Sequence, residues 1–249
     1  ETSFLARLWT ISGTILLALS SSTKSGRGAQ GIILANGKVD RAGVMMDEVF
    51  TSHPLFKGRN PQEVKKPVTV TYVSGTFAIY RVKAVLEVWN GEEKLFFDFG
   101  FGYFDDNVLG IQMWNHGWKS KAYPVVACIH KQSLSFGKRS ELRAYLSLRN
   151  SLLLNYMTNS RYKKLIPIYA LRDALPRVRS EKGAKSMGNC ISKALRDFIR
   201  MRPLLKGYKL DLYRAPVVRL GLRELIGLIG LRRKVTAEVS RKLVQGVGF

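Results

Sequence analysis

Apolar and polar residues alternate with a period of two at several places in the first half of the chain. The longest run is PVTVTYVSGTFAIYR, which predicts strand structure from Val68 to Tyr80 with a break at Ser74-Gly75. A glycine inside a strand indicates a bulge or the close approach of another group. Asn36-Gly37 stands between two β-favouring runs and predicts a hairpin. AYPVVACIH, residues 122–130, predicts a short buried strand that ends in histidine.

Apolar residues also recur at helical spacing between these strands. The predicted helices are Ser3–Leu19, Lys83–Trp89, Asp106–His116 closed by Gly117, and a long amphipathic helix capped by Ser140. The long helix carries Arg149 on its apolar stripe. Strands that alternate with helices predict the α/β class.

Charge divides the chain into two parts. Its 249 residues include 41 Lys+Arg and 18 Asp+Glu, a net charge of +23. Residues 1–130 hold 14 basic and 11 acidic residues, net +3, whereas residues 131–249 hold 27 and 7, net +20. Strand signals also thin out after about Asn159. We therefore predict a first domain over 1–159 and a basic amphipathic helical tail over 160–249, whose charge favours an anionic partner.

The tail allows two interpretations. ISKALRDFIRM (191–201) and VVRLGLRELIGLIGLRRK (217–234) each set apolar residues against basic ones. Either the apolar faces pack onto the first domain, or the helices lie on an anionic membrane surface. Nucleic acid fits less well as a partner, because few aromatic residues are interleaved with the charges and the tail shows no helix-turn-helix, zinc-finger or ribonucleoprotein-sheet signature.

The positions of the cysteines argue against a disulfide- or zinc-stabilised protein, and the early uncharged run argues against a membrane span. Cys128 and Cys190 lack CxxC spacing, which predicts buried thiols and argues against a disulfide framework or a zinc site. The run Leu8–Thr23 contains several Ser and Thr residues and falls short of the roughly 20 apolar residues of a membrane span.

Two adjacent acids, Asp105 and Asp106, stand at the start of a predicted helix behind the aromatic stretch FDFGFGYF. The unpaired amides at a helix N-terminus stabilise an ionised carboxylate, so both groups are expected to be charged at neutral pH. Consecutive helical residues point about 100° apart, and one acid can cap the helix while the other faces a pocket. Taken alone, the pair favours the simpler interpretation of two caps on an ordinary surface helix.

From Gly31 to about Asn159 the chain presents an ordered set of landmarks. They are the hairpin ILANGKVDRAG, the turn in YVSGTFAIYR, Gly102-Tyr103-Phe104-Asp105-Asp106, Gly117-Trp118, the strand Pro124–His130, Ser133–Ser135 and Arg149-Asn150. This order resembles the second half of the catalytic domain of family-2 glycosyltransferases of the GT-A fold.

The resemblance implies an incomplete GT-A-like mixed sheet with helices, followed by the basic tail. It also implies inverting transfer of a sugar from a nucleotide-sugar donor to a glycan, polysaccharide or lipid-linked acceptor. In that family the second member of the acidic pair is the general base. This role falls on Asp106, with Asp105 in place of the usual Glu.

Further site residues follow from the same resemblance. Ser74 and Gly75 match a turn that lines the cleft, and Gly102, Tyr103 and Trp118 are implied in substrate binding. Phe99 and Phe101 could join Tyr103 in a sugar-stacking wall or belong to the core. Arg149 either contacts a phosphate or extends its charge to water. His130 either helps to bind a divalent metal, Mg²⁺ or Mn²⁺, or is structural.

The sequence departs from the family pattern at several positions, which limits the activity expected of this chain. Val108 stands where an acid is usual, Gln112 stands where arginine is common, and no Asp-x-Asp motif is present. We therefore expect the chain to lack the donor-binding half and to begin after it. The resemblance and the basic tail together imply a cytoplasmic protein held at the inner face of a membrane. The alternative is a non-enzymatic basic module that binds anionic membrane or nucleic acid.

Overall fold

The computed structural model describes residues 14–17, 28–96, 102–130, 140–179, 183–230 and 232–246. Within these ranges the chain is a mixed α/β structure, which confirms the predicted class. The strands are β1 (Thr14–Leu17), β2 (Gly28–Ala35), β3 (Lys38–Arg41), β4 (Val44–Asp47), β5 (Ser52–Pro54), β6 (Val68–Val70), β7 (Phe77–Tyr80), β8 (Ser120–Ile129) and β9 (Val217–Val218). The helices are α1 (Val82–Val88), α2 (Asp105–Asn115), α3 (Ser140–Met157), α4 (Ile166–Arg179), α5 (Gly183–Met201), α6 (Leu222–Gly230) and α7 (Arg232–Gly246).

The larger sheet has the strand order β1-β7-β2-β8-β6, with β3 beside β2. Strand β1 is parallel to β7 and β2 is parallel to β8, whereas the other neighbours are antiparallel. The predicted helix over Ser3–Leu19 is wrong at Thr14–Leu17, because these residues pair with β7. The remainder of that prediction lies outside the described residues.

The hairpin between β2 and β3 is confirmed. Asn36 and Gly37 have φ angles of 51° and 72°, and a two-residue turn with both φ values positive matches the twist of paired strands. The hairpin places Arg41 at the end of β3, close to the turn that follows β6.

The strand predicted over residues 68–80 is two strands. Strands β6 and β7 belong to the same sheet, but β2 and β8 lie between them. Ser74 and Gly75 therefore belong to a connection that crosses the sheet rather than to a bulge within one strand.

Strand β8 differs from the buried strand predicted for residues 122–130. It has ten residues, and Val125 and Ile129 are 64% and 72% exposed. Only the start of β8, Ser120–Ala122, lies between two neighbouring strands, since β6 pairs with no residue beyond Ala122. The far half is therefore paired on one side.

Helix α2 packs closely on the connection after β6. A Cβ on Gly110 would lie 2.3 Å from Cβ of Tyr72, so glycine permits this approach. Gly117 follows the helix with a φ angle of 76°, as expected of a C-terminal glycine. The short helix α1 and the long helix α3 also lie where the sequence predicted them.

The part of the chain after residue 159 packs against the part before residue 159. Strand β9 pairs with β4 in the smaller sheet, and helices α4 and α5 both contact α3. Glu48 is fully buried and accepts hydrogen bonds from Arg161 Nη2 and the Leu220 backbone N–H, each at 2.8 Å. One hydrophobic core includes Ile32 and Leu225 from the two sides. A division of the chain at residue 159 stays a prediction.

Both cysteines are free thiols. Cys190 is buried, as predicted, whereas Cys128 is only partly so. Among the described helices, none combines the length and the apolar character needed to cross a bilayer.

Candidate active site at Asp105 and Asp106

The loop before helix α2 has an unusual backbone. Gly102, Tyr103 and Phe104 have φ angles of 76°, 60° and 69°, all in the left-handed region. A non-glycine residue in this region costs about 1–3 kcal/mol, so neighbouring groups must hold Tyr103 and Phe104 there. The loop directs the chain into α2 with Asp105 and Asp106 in the first turn of the helix.

Asn150 on helix α3 holds this loop. Its side-chain nitrogen Nδ2 donates to the carbonyl oxygens of Gly102 at 2.8 Å and Tyr103 at 2.7 Å. Arg149 Nε donates to Oδ1 of Asn150 at 2.8 Å, which orients the amide. Asn150 is therefore the residue that ties the strained loop to the helical layer.

Arg149 lies behind the loop. It also donates from Nη1 to the Tyr145 hydroxyl at 3.1 Å, and only 8% of its surface is exposed. The guanidinium does not extend to water as a snorkelling side chain would. These two hydrogen bonds go to neighbours on its own helix and give Arg149 a supporting position near Asp105.

Asp105 is half-buried beside the loop. Its Oδ2 accepts the Gly102 N–H at 3.0 Å, whereas Oδ1 has no hydrogen-bond partner within the described part of the chain. Burial and the charge of Asp106 raise the pKa of Asp105 to about 7, although the Gly102 N–H and Arg149 oppose the rise. Asp105 therefore retains a proton in a large fraction of molecules near neutral pH.

Asp106 has two backbone donors. Its Oδ2 accepts the Gly75 N–H at 3.2 Å, and its Oδ1 accepts the Asn107 N–H at 3.0 Å, one of the free amides at the helix N-terminus. Burial raises the pKa of Asp106, against the effect of the Gly75 N–H and of the Arg41 charge. This carboxylate both caps a helix amide and faces another element.

The sequence predicted that the helix N-terminus would favour the ionised form of both acids, but the structure shows the opposite effect on their pKa values. The helix N-terminus alone would lower both pKa values, yet the pKa of each carboxyl group is raised. Burial is the largest cause in both residues, and at Asp105 the neighbouring negative charge adds to it. Desolvation therefore outweighs the helix N-terminus at this position.

The turn at Ser74 and Gly75 lies against Asp106. A Cβ placed on Gly75 would have Asp106 Oδ2, 4.0 Å away, as its one near neighbour within the described ranges. The space at Gly75 is therefore open. Arg41 donates from Nη1 to Ser74 Oγ at 3.1 Å and pairs through Nη2 with Asp40 Oδ2 at 2.8 Å. The fold thus brings a basic residue and an acid to the two sides of one turn.

His130 follows β8 and lies close to Asp40. Its Nδ1 is 3.3 Å from Asp40 Oδ2. Burial raises the pKa of Asp40, but Arg41 and His130 outweigh it and hold the pKa below its usual value. His130 is therefore connected to the turn at Ser74 through Asp40 and then Arg41.

The sequence resemblance gave His130 a possible metal role. No group of three or more His, Cys, Asp or Glu that could hold a metal occurs among the described residues. The Asp40 oxygen nearest His130 already pairs with Arg41, whose positive charge opposes a divalent cation. Mg²⁺ also prefers several oxygen ligands. The metal role of His130 stays a prediction.

The aromatic residues predicted for substrate binding are separated. Trp118 lies past the far end of the 11-residue helix α2, about 16 Å along the helix from the acidic pair. Its indole Nε1 donates to Glu87 Oε2 at 2.8 Å. Tyr103, in contrast, lines a small hollow together with Asp105. Phe99 and Phe101 lie outside the described residues.

Three residues of this site were not predicted as site residues. Asp40 and Arg41 form an adjacent acid and base directly before the Ala42-Gly43 that ends the hairpin motif, and Asn150 follows Arg149 in the Arg-Asn landmark. These positions were visible in the sequence as parts of landmarks. Their contacts with Ser74, His130 and the strained loop depend on the fold.

No protein-family model matches this chain, and no match was found among curated proteins or among solved structures. Function must therefore be inferred from the chemistry of these residues and from the sequence resemblance.

Proposed function

We propose that this chain forms the acceptor side of an inverting glycosyltransferase domain of the GT-A type, with Asp106 as the general base. The donor is a nucleotide sugar, and the acceptor is a hydroxyl group of a glycan or a lipid-linked sugar. One observation carries the proposal: the Asp106 carboxylate faces the open turn at Gly75, and Arg41 is held on the same turn.

The proposed reaction needs one proton acceptor. The acceptor hydroxyl oxygen attacks the anomeric carbon, the bond from that carbon to the nucleotide diphosphate breaks, and the leaving group takes the electron pair. The hydroxyl proton moves to Asp106 as the new bond forms, and the sugar configuration inverts. Burial raises the pKa of Asp106, which makes its carboxylate a stronger base than that of an exposed aspartate and supports this role.

Asp105 assists by holding a proton. Two neighbouring carboxyl groups titrate as a pair, and a neutral Asp105 removes the repulsion that would oppose ionisation of Asp106. Tyr103 and Gly102 then form the wall beside the pair, and Ser74 and Gly75 border the acceptor. No step is assigned to a metal ion.

The first test is the Asp106→Asn substitution in the natural full-length polypeptide that contains this sequence. We expect acceptor-dependent release of nucleotide diphosphate to fall by about 10²–10⁴-fold, because the amide accepts no proton. Asp211→Asn is the matched control, because its backbone N–H binds Asn115 at the opposite end of α2 and its carboxylate accepts hydrogen bonds from Asn159 and Tyr213. Transfer at the wild-type rate by Asp106→Asn would exclude Asp106 as the base.

A second substitution separates folding from transfer. Gly75→Val places a side chain in the open space before Asp106, where the nearest described atom leaves room for a Cβ. We expect a thermal unfolding midpoint close to that of the wild type and a large loss of transfer. Full activity in Gly75→Val would show that the acceptor does not occupy this turn.

A further inference from the structure

The outer face of helix α5 and the turn after it expose apolar side chains. Leu195, Ile199 and Leu204 are 44%, 64% and 58% exposed. The opposite face of α5 packs inward, where Cys190 and Ala194 are buried in a cluster with residues of α3 and α4. The three exposed side chains therefore do not take part in packing α5 against α3 and α4.

Basic residues flank these apolar side chains. Lys193, Arg196, Arg200, Arg202 and Lys206 are all exposed. Lys193 lies 4.8 Å from the Tyr145 ring centre and Arg202 lies 5.9 Å from that of Tyr156. The one acid in this stretch, Asp197, accepts a hydrogen bond from the Tyr145 hydroxyl at 2.5 Å. We call the three apolar and five basic residues the α5 strip.

Neighbouring helices also expose large apolar side chains. Among the described residues, nine of the twelve exposed large apolar side chains lie after residue 160. They include Ile168 on α4 and Leu222 and Ile226 on α6, and α4 contacts both α5 and α6. The strip therefore belongs to a helical layer that exposes apolar and basic groups together.

We propose that the α5 strip binds the surface of an anionic lipid bilayer. Basic side chains attract acidic headgroups, and short apolar side chains between them enter the headgroup boundary. A second copy of this chain is disfavoured, because residues 131–249 carry a net charge of +20 and two such faces repel. A nucleic acid backbone would satisfy the basic residues but would leave the leucine and isoleucine side chains without a partner.

This proposal does not depend on sugar transfer. Vesicle binding and transfer to a soluble acceptor are separate measurements, so either can fail without the other.

The test measures binding of the whole protein to vesicles of phosphatidylcholine alone and of phosphatidylcholine with 30% phosphatidylglycerol. We expect binding only to the anionic vesicles. Each basic residue near such a surface contributes about 1 kcal/mol, or roughly 5-fold in affinity, so Arg196→Glu/Arg200→Glu should weaken binding by at least about 20-fold. Lys65→Glu/Lys66→Glu changes the net charge equally at exposed positions outside the strip and should change binding by less than about 5-fold.

The apolar contribution is tested by Leu195→Ser/Ile199→Ser, with Val125→Ser/Val126→Ser on strand β8 as the exposed apolar control. We expect only the α5 variant to lose the binding that persists at high salt, where charge attraction is screened. Circular dichroism melting confirms that each variant is folded.

Three results would overturn the proposal. The first is no binding of the wild type to anionic vesicles, and the second is an equal loss in the two charge-reversal variants. The third is binding of duplex DNA but not vesicles, weakened by the arginine variant and unchanged by the Leu195/Ile199 variant.

Discussion

At the scale of single residues, the acidic pair shows how burial changes the chemistry of a common residue type. Asp105 and Asp106 are adjacent in sequence, yet they have different partners. Asp106 accepts two backbone N–H groups, whereas Asp105 accepts one and has an oxygen without a partner in the described structure. Burial raises both pKa values, so each carboxyl group loses its proton at a higher pH than an exposed aspartate does.

This shift makes stability depend on pH. The pKa of Asp105 is about 7 in the folded protein, whereas an unfolded aspartate has a pKa of about 3.9. The unfolded chain therefore releases this proton first, so the contribution of Asp105 is greatest below pH 4 and is lost as pH rises to 7. Asp105→Asn, which does not titrate, should gain stability relative to the wild type by up to about 4 kcal/mol between pH 4 and pH 8.

Urea unfolding at a series of pH values measures this difference. Asp211→Asn is the control, because the pKa of Asp211 is lowered, chiefly by the Asn159 hydrogen bond, and its titration lies below this range. If the wild-type and Asp105→Asn stability curves run parallel from pH 4 to pH 8, the raised pKa of Asp105 is wrong.

At the scale of elements, the strained loop and helix α3 act as one unit. Three successive residues with positive φ angles precede α2, and two of them present carbonyl oxygens to the same Asn150 amide. The first turn of α2 therefore depends on a contact made by a helix about 45 residues further along the chain. This arrangement makes Asn150 a positioning residue for the acidic pair.

Removing the Asn150 amide should release the loop. We expect Asn150→Ala to lower the free energy of unfolding by about 2–3 kcal/mol, because two carbonyl oxygens lose their donor. Hydrogen exchange of the backbone amides of residues 102–107 should become faster at the same time. The physical reason is that Tyr103 and Phe104 leave the left-handed region when nothing holds them there.

Asn155→Ala is the matched control on the same helix. Asn155 also donates to a backbone carbonyl, that of Lys163 at 3.0 Å, but it does not contact the loop. The Asn155→Ala variant should lose stability, but amide hydrogen exchange at residues 102–107 should not become faster. Unchanged exchange there in Asn150→Ala would contradict the positioning role.

At the scale of the whole molecule, the buried Glu48 joins distant parts of the chain. Besides Arg161 and Leu220, it accepts a hydrogen bond from the Tyr213 hydroxyl at 3.2 Å. The Ser160 hydroxyl donates to its backbone carbonyl at 2.6 Å. These contacts attach the segment between α3 and α6 to the smaller sheet, so the basic helices share the stability of the sheet.

Neutralising Glu48 should weaken this attachment. We expect Glu48→Gln to lower the free energy of unfolding by about 1–3 kcal/mol, because the buried Leu220 N–H and the half-exposed Arg161 guanidinium lose an anionic acceptor. Limited proteolysis between residues 160 and 220 should become faster. Glu92→Gln removes an exposed ion pair with Lys94 and should change stability by less than about 1 kcal/mol. Equal stability of the two variants would contradict the role of Glu48.

Local sequence determined the features whose signals lie within a few neighbouring residues. The hairpin at Asn36-Gly37 follows from the backbone freedom of two residues, and the end of α2 follows from Gly117. The break at Ser74-Gly75 and the alternation of strands and helices were predictable for the same reason. The turn at Gly75 and the pair at Asp105 and Asp106 could therefore be selected as candidates from the sequence.

Tertiary structure alone decided what surrounds these residues. Gly75 meets Asp106 across 31 positions and Asp40 meets His130 across 90. The fold also placed Thr14–Leu17 in the sheet, exposed the far half of β8, and put Trp118 past the end of α2 that is distant from the acidic pair. The physical reason is that burial, pKa and strand pairing depend on neighbours in space. Residue type and spacing specify the groups that are present but not the ones they meet.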